Sequence, residues 1–445
     1  MADIVSNPDV ESPQAAPPTV TCAQCGCTSP LTMYFRKQRG KHYCPRCMGE
    51  RAGRSMVNQI LLVLAFGLIL SLLRSQGTGG FDFSGLIEVG LFLALIFVTV
   101  IGHELIHGLA AWLLGGRVYE LALGVGEVRR SVWWRGVRFA LRRQLFMGIA
   151  VCVFPRRSGL RLRRALYLMA PLAAQIALVI FLWNRPGLRA DVAGYDLRIM
   201  LIIANGWLIM GNLFPWKFNE ILATDGYRLL ELVRGRKTVD ELHEQFFLVD
   251  GVYAQEREDY AAMAAAAAAG LALYPNAGQL KNLQAAALFS EERFGEALTL
   301  FDQFLTEGGD ETPLPVRALW LSNQAGATFF EHLLGGDITP ARLDVAHAAV
   351  AEAYSLIPWV TPVEVVVALS ALAQGHIQDA LAGFQQAIPY QHKVNDRAEL
   401  LLLVALAHHH LGQGDAARSA LGQARTLETK ESRIRAYVEG LVGGG

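Results

Sequence analysis

With 445 residues, 52% of them hydrophobic and 18% charged, and a positive mean hydropathy, the chain is too apolar for one ordinary globular protein. It is long enough for about two to four domains. The formal net charge of zero excludes the uniformly basic surface of a nucleic-acid binder, so no nucleic-acid partner is expected, and the uneven placing of the basic residues points instead to orientation in a membrane.

Residues 1–20 carry Pro8, Pro13, Pro17 and Pro18 among small and polar residues and read as a disordered tail. No basic start leads into an apolar core there, so a signal peptide is not expected. Residues 21–50 follow with Cys22-x2-Cys25 and Cys44-x2-Cys47, flanking the strand-like Leu31 to Phe35. Two thiol pairs on tight turns, brought together by a hairpin, make a closed tetrahedral zinc site of the ribbon type, structural and with no open position for water. Cys27 leaves the choice between Cys25 and Cys27 as ligand open. A disulfide pair is the alternative, disfavoured in a reducing cytosol. The module is expected to recognise or to stabilise, and to do no chemistry.

Four apolar stretches follow, Met56 to Leu73, Leu86 to Leu114, Ala165 to Trp183 and Leu197 to Phe214, each long enough to cross ~30 Å of hydrocarbon, the last one barely. Arginines and lysines from Arg36 to Arg54 precede the first. Twelve arginines from Arg117 to Arg164 lie between the second and third, against only Glu120 and Glu127. The other two connections carry only Arg74, Arg185 and Arg189. Positive charge stays inside, so both termini and the arginine-rich loop are cytoplasmic. The chain then reads as a multi-pass protein of a plasma or bacterial inner membrane, with the lipid bilayer as a partner.

The second span holds Gly102-His103-Glu104-Leu105-Ile106-His107-Gly108. Three ionisable groups in a span cost several kcal/mol and need partners and a task. His103 and His107, four apart, share a helical face and can grip one zinc ion, with Glu104 beside them to handle the proton of a water, the arrangement of a zinc peptidase. The alternative is a chance match, with the histidines bonded to neighbouring helices and the glutamate neutral. The span reaches His103 about 25 Å from its outer end, towards the cytoplasmic half.

Residues 118–154 are neither helical nor long enough for a domain. Alternation in Val137 to Leu141 and turns at Gly124, Gly126, Gly136 and Gly148 predict short strands at the membrane surface, with the arginines either serving that element or resting on lipid headgroups. A catalytic zinc needs a third protein ligand. The fourth span also runs inward and ends at Pro215, and Asp225 then opens a new amphipathic segment at about the depth of the histidines. Asp225 as a helix N-cap before Gly226 is the competing reading. Asn205 and Asn212, seven apart, can bond across the bundle, and Asn212 can alternatively hold substrate.

Residues 56–235 resemble the site-2 protease family of intramembrane zinc metalloproteases. The likeness rests on His103-Glu104-Leu105-Ile106-His107 in a span, on Gly115-Gly116, and on Asn212-x2-Pro215 followed by Asp225-Gly226. It implies a catalytic zinc on His103, His107 and Asp225, with Glu104 as the base, acting on transmembrane segments of other membrane proteins. It also implies that the β element holds the substrate as an added strand. The second motif departs from the family, with Lys217 where a second proline is common and Asp225 farther along the chain.

Beyond Lys237 the composition is that of soluble alanine-rich helices, including the Ala264 to Ala269 run. Ala297, Phe301 and Phe304 recur as Ala346, Val350 and Ala353, as Ala380, Phe384 and Ala387, and as Ala417, Leu421 and Ala424. The later copies lie close to ~34 residues apart, so residues 240–445 resemble tetratricopeptide repeats, which present a groove to a protein or peptide partner. His408-His409-His410 spreads over mixed helix faces and is not expected to bind metal.

The expected architecture is mainly α, a four-span core with a small membrane-associated β element, an N-terminal zinc ribbon and a C-terminal helical solenoid. The expected function is intramembrane zinc proteolysis near the cytoplasmic face. One rival is a non-catalytic membrane-anchored scaffold that recruits cytosolic partners through its repeats. The other is a membrane zinc carrier, in which Glu104 has no task.

Overall fold

The computed structural model describes residues 19–31, 34–38, 40–48, 61, 65, 84–187, 191–192, 195–217, 223–308, 312–391, 393–427 and 432–443. Nearly all of the predicted disordered tail, and the predicted first span apart from Leu61 and Ala65, lie outside them. The chain divides into two compact units, one joining the residues up to Met48 with those from Leu288 onward, the other holding the residues between.

In the first unit, β1 (Val20–Thr21) pairs with β2 (Thr28–Ser29) and β3 (Arg36–Gln38) with β4 (Lys41–Tyr43), both antiparallel. Gly26 and Gly40 take the positive φ that their tight turns require. The two hairpins close over a core of Cys22, Phe35, Tyr43, Cys44 and Cys47.

The second unit opens with α1 (Ser84–Leu113), then β5 (Arg117–Trp134), β6 (Val137–Val153) and α2 (Leu160–Trp183). The short strands β7 (Asp191–Val192) and β8 (Tyr195–Asp196) lead into α3 (Leu197–Leu213) and α4 (Asp225–Val233). Helices α1, α2 and α3 pack on one another, and the β5–β6 sheet packs on α1. Two described helices, not four, are long and apolar enough to cross a membrane: Ile87–Leu113 of α1, and α2. The predicted fourth span is α3, which has 17 residues against the ~20 a crossing normally takes. Outward faces of these helices stay apolar, with Trp112 69%, Ile180 56% and Trp207 71% exposed, the reverse of a soluble core helix.

The arginine-rich stretch corrects the expectation of short strands, because β5 and β6 have 18 and 17 residues. Arg135 and Gly136, both at positive φ, make the two-residue turn between them. Gly124 and Gly126, also at positive φ, bend β5 within the strand rather than ending it. The pair therefore folds back on itself, and residues 120–123 have partners on two sides, Val151 to Gly148 on one and Arg138 to Leu141 on the other.

Three further helices complete this unit, α5 (Val239–Glu256), α6 (Tyr260–Leu273) and most of α7 (Gly278–Ser290). The alanine run lies in α6, where Ala266 and Ala267 are buried. A Thr238–Glu241 capping box starts α5.

From Leu288 the chain builds the array of the first unit: α8 (Phe294–Gly308), α9 (Leu314–Leu333), α10 (Pro340–Leu356), α11 (Thr361–Ala373), α12 (Ile377–Ala387), α13 (Val394–His410), α14 (Gly414–Leu427) and α15 (Arg433–Gly443). Successive helices pack on one another, and Gly335, Gly375 and Gly412 end α9, α11 and α13 at positive φ. All four recurring triplets, on α8, α10, α12 and α14, are buried, so they form the seam between neighbouring helices. The ribbon docks on this array. Leu31 enters its core, Phe35 meets Trp359 edge-on at 5.3 Å, the Ser29 hydroxyl donates to the Leu356 carbonyl at 2.6 Å, and Arg46 forks onto Glu364 at 2.9 and 2.7 Å.

Candidate metal centre

His103 and His107 sit one turn apart on α1, both buried. The His103 Nδ1–H donates to the Gln175 side-chain oxygen at 3.1 Å, and the His107 Nδ1–H donates to the Tyr167 carbonyl at 3.2 Å, both from α2. A carbonyl can only accept, so these bonds place a proton on each Nδ1, and in the neutral imidazole, the form that binds metal, each Nε2 then carries a lone pair. The two Nε2 atoms face one oxygen, Oδ2 of Asp225, at 3.0 and 3.1 Å. An ionised carboxylate also has no proton to give. Three electron-pair donors therefore converge in a buried spot, all within 4.8 Å of one another, which suits a cation. Imidazole, imidazole and carboxylate are a three-ligand zinc set of the catalytic kind, and the hydrogen bonds at both Nδ1 atoms are the outer shell that fixes such ligands.

Asp225 is brought there by its neighbours on either side. Thr224, not Asp225, is the N-cap of α4, its hydroxyl accepting from the Tyr227 amide at 3.3 Å. The same hydroxyl donates to the Phe214 carbonyl at 2.6 Å and accepts from the Trp216 amide at 3.1 Å, which pins the start of α4 to the end of α3. Gly226 makes that approach possible, since a Cβ there would run into the Leu213 carbonyl. As first residue of the helix rather than its cap, Asp225 has its carboxylate available for the histidines.

Glu104 lies one residue from His103, within electrostatic reach of both histidines, Asp225 and Arg228. Its side chain packs against the bare Cα of Gly148 on β6, where a Cβ would overlap the carboxyl group. Gly148 is thus not a turn, as its sequence context suggests, but a gap in the sheet face that Glu104 fills. On its other side Glu104 borders a cavity of 360 Å³ between α1 and the sheet.

A buried charge network braces that sheet. Glu120, fully buried on β5, pairs with Arg142 through both Nε, at 3.0 Å, and Nη2, and it lies 3.8 Å from Arg138. The Tyr253 hydroxyl of α5 donates to Glu120 at 3.0 Å, and Arg138 reaches Glu256 of α5 at 3.1 Å. Burial and the adjacent carboxylate hold the Tyr253 phenol well above its usual pKa, so it stays a donor. Tyr119 likewise donates to Asp250 of α5 at 2.6 Å. Arg138 and Arg142 therefore serve protein carboxylates, the first of the two roles left open for these arginines.

The amides of Asn212 and Asn205 donate to the Leu208 and Leu201 carbonyls of their own helix at 3.2 and 2.9 Å, rather than across the bundle, the first of the two roles open to them. In the ribbon, the sulfurs of Cys22, Cys25, Cys27 and Cys44 lie within 4.8 Å of one another, and the buried Cys47 sulfur interacts with those of Cys22, Cys25 and Cys44. All five are thiols, not disulfides; Cys22, Cys25, Cys27 and Cys44 are the set close enough to share one ion, a thiol set that suits a closed zinc site, with Cys27 where the sequence expects Cys47. Burial opposes ionisation of Cys22, but amide hydrogen bonds from Cys25, Cys44 and Gln24 outweigh it and bring its thiol down to about 6, while burial pushes Cys27 and Cys47 up. The His408 to His410 run forms no metal-ligand group among the described residues.

The signals that sequence reasoning passed over are a polar Gln175 inside an apolar span, the pairing of Glu120 with the arginines around it, and two glycines whose value is an absent side chain.

No protein-family model and no curated protein matches the chain. Among solved structures, it is similar to a thermophilic TPR protein in Thermus thermophilus, with 17% identity and a TM-score of 0.35 over 45% of this chain and 98% of that one. It is also similar to the APC/C hetero-tetramer Cut9-Hcn1, at 14% identity and a TM-score of 0.35, over 64% of this chain and about half, 49%, of that chain.

Proposed function

We propose that the chain is an intramembrane zinc metallopeptidase of the site-2 protease type. The observation that carries this reading is the meeting of the Asp225 carboxylate with the His103 and His107 Nε2 atoms beside Glu104, inside a helix long and apolar enough to cross a bilayer. Zinc bound there would supply Lewis-acid polarisation of a scissile carbonyl and a lowered pKa for water. The chain's residues do the rest. Gln175 and the Tyr167 carbonyl hold the imidazoles in register. Glu104 accepts a proton from the attacking water and passes it to the leaving amine nitrogen. Residues 148–151 are paired on one side only among the described residues, so they offer an edge to a substrate helix that must unwind and have its freed backbone groups satisfied again.

The membrane arrangement rests on two supports. Residues up to Met48 fold with those from Leu288 into one unit, so both ends lie on one side and an even number of crossings separates them. Helices α1, α2 and the shorter α3 offer three, and the fourth is assigned to the apolar stretch 56–73, which lies outside the described residues. The charge distribution sets that side as cytoplasmic.

The scaffold reading has its own observation, an array that takes in the ribbon through Leu31 and Arg46 and presents a single docked platform. On the proposed function this platform brings protein partners or substrates to the peptidase, and without Glu104 chemistry it would be the whole function.

Metal content separates the sites. Purified native chain should hold two zinc ions, His103→Ala and Cys44→Ala one each, as measured by mass spectrometry of the metal. Peptide-bond hydrolysis should vanish only with the His103 ion. Full zinc content in His103→Ala would remove the basis of the reading. Gly148→Ala, in turn, should keep both ions but lose roughly 10²-fold in turnover, because the added methyl displaces Glu104 by about 1 Å. An unchanged rate in that variant would separate Glu104 from the chemistry.

A further inference from the structure

The cavity beside Glu104 carries an inference that rests on the peptidase reading and deepens it. Its walls are Ile101 and Leu105 of α1 and Leu121, Phe139 and Leu141 of the sheet, with Val132 at the far strand; Glu104 is its acidic wall and Arg130 its basic one. At 360 Å³ it falls at the small end of pockets that hold ligands. Leu105, Phe139 and Leu141 also present apolar surface outward, being 50%, 37% and 38% exposed, so the cavity opens towards the surroundings and not only inward. A charged or small polar side chain entering it would exchange water for hydrocarbon and find no hydrogen-bond partner along most of the wall.

We infer that this cavity is a specificity pocket that takes a bulky aliphatic or aromatic side chain from a residue flanking the scissile bond, so that the substrates are peptide segments cut next to leucine, isoleucine, phenylalanine or methionine. Glu104 borders both the metal ligands and the cavity, which puts the side chain held there within one residue of the bond attacked. One methylene more or less in such a pocket discriminates between substrates by about 10- to 200-fold, so alanine in place of leucine should be cut at least ~10-fold more slowly.

The test uses the zinc-loaded full chain in detergent and a set of unstructured synthetic peptides differing only at one central residue: leucine, phenylalanine, alanine, serine or aspartate. Cleavage sites and rates are read by mass spectrometry, and affinities of the same peptides for the Glu104→Gln chain by fluorescence polarisation. Leucine and phenylalanine peptides should be cut next to that residue and bound most tightly. Leu141→Trp, which fills the cavity from a partly exposed position, should move the preference to alanine while keeping both zinc ions. Equal rates and affinities across the native series overturn the pocket assignment whatever the variant does. Graded affinity with no hydrolysis by the native chain overturns the peptidase reading and leaves the pocket standing.

Discussion

Cells carrying Glu104→Gln in place of the native chain should accumulate an uncut membrane protein, and the purified variant should hydrolyse peptides about 10²- to 10⁴-fold more slowly, the usual contribution of a positioned general base. The amide has the size and shape of the carboxylate, so it fills the same gap over Gly148 and leaves His103, His107 and Asp225 where they are. What it lacks is the capacity to take a proton. Zinc content should therefore stay at the native value while the rate falls. A silent substitution, with fragments and turnover as in the native chain, would show that the glutamate between the histidines has no chemical part, and the anchored-scaffold reading would then take its place.

The largest effect on stability is expected at Glu120→Ala. In the native fold Glu120 is fully buried and answers Arg142, Arg138 and Tyr253 together. Removing the buried acid takes the main charge partner from Arg142 and the acceptor from Tyr253, at a cost of roughly 3–5 kcal/mol. For a unit of this size that corresponds to a fall in melting temperature on the order of 10 °C. Arg138 also holds Glu256, so loss of Glu120 loosens the grip of the sheet on α5 as well as the cavity wall formed by Phe139 and Leu141. Glu120→Gln keeps a hydrogen bond to Tyr253 and should fall less far. Thermal unfolding of both variants in detergent, followed by circular dichroism, checks the order; equal melting temperatures for native and Glu120→Ala chains would mean the network is solvated and contributes nothing.

Much of the centre is legible in the sequence because its parts are written as side chains. A histidine pair at helical spacing inside an apolar run stands out from its surroundings, and so does an aspartate following a span that runs the same way. The positive-inside pattern then brings the two to similar depth, and the structure places Asp225 against both imidazoles. The helical array is legible for a different reason. Small and large residues recur at fixed offsets from Ala297 to Ala424, and each triplet is buried.

What the sequence hides is of several kinds. Gly148 and Gly226 act through the room they leave, and a missing Cβ looks the same at a turn, at a strand face or at a helix start. The pairing of Glu120 with Arg142 depends on the register by which β5 and β6 fold back, a long-range choice that local alternation does not determine. The strands are long because Gly124 and Gly126 bend the backbone without breaking the ladder. The ribbon and array join through Leu31, Ser29 and Arg46, three residues whose partners lie more than three hundred positions away for the last two. Which four of the five thiols meet is settled by the fold as well, since it takes the folded hairpins to bring Cys44 within 3.7 Å of Cys25.

The central claim is that His103, His107 and Asp225 form a nitrogen- and oxygen-ligated zinc centre distinct from the sulfur-ligated ribbon. X-ray absorption at the zinc edge, on the purified Cys44→Ala chain, isolates it. One zinc with a shell of light atoms at about 2.0–2.1 Å and no sulfur shell at ~2.3 Å is the expected result. A chain that holds no zinc once the ribbon is disabled, or holds it by sulfur alone, would contradict the claim.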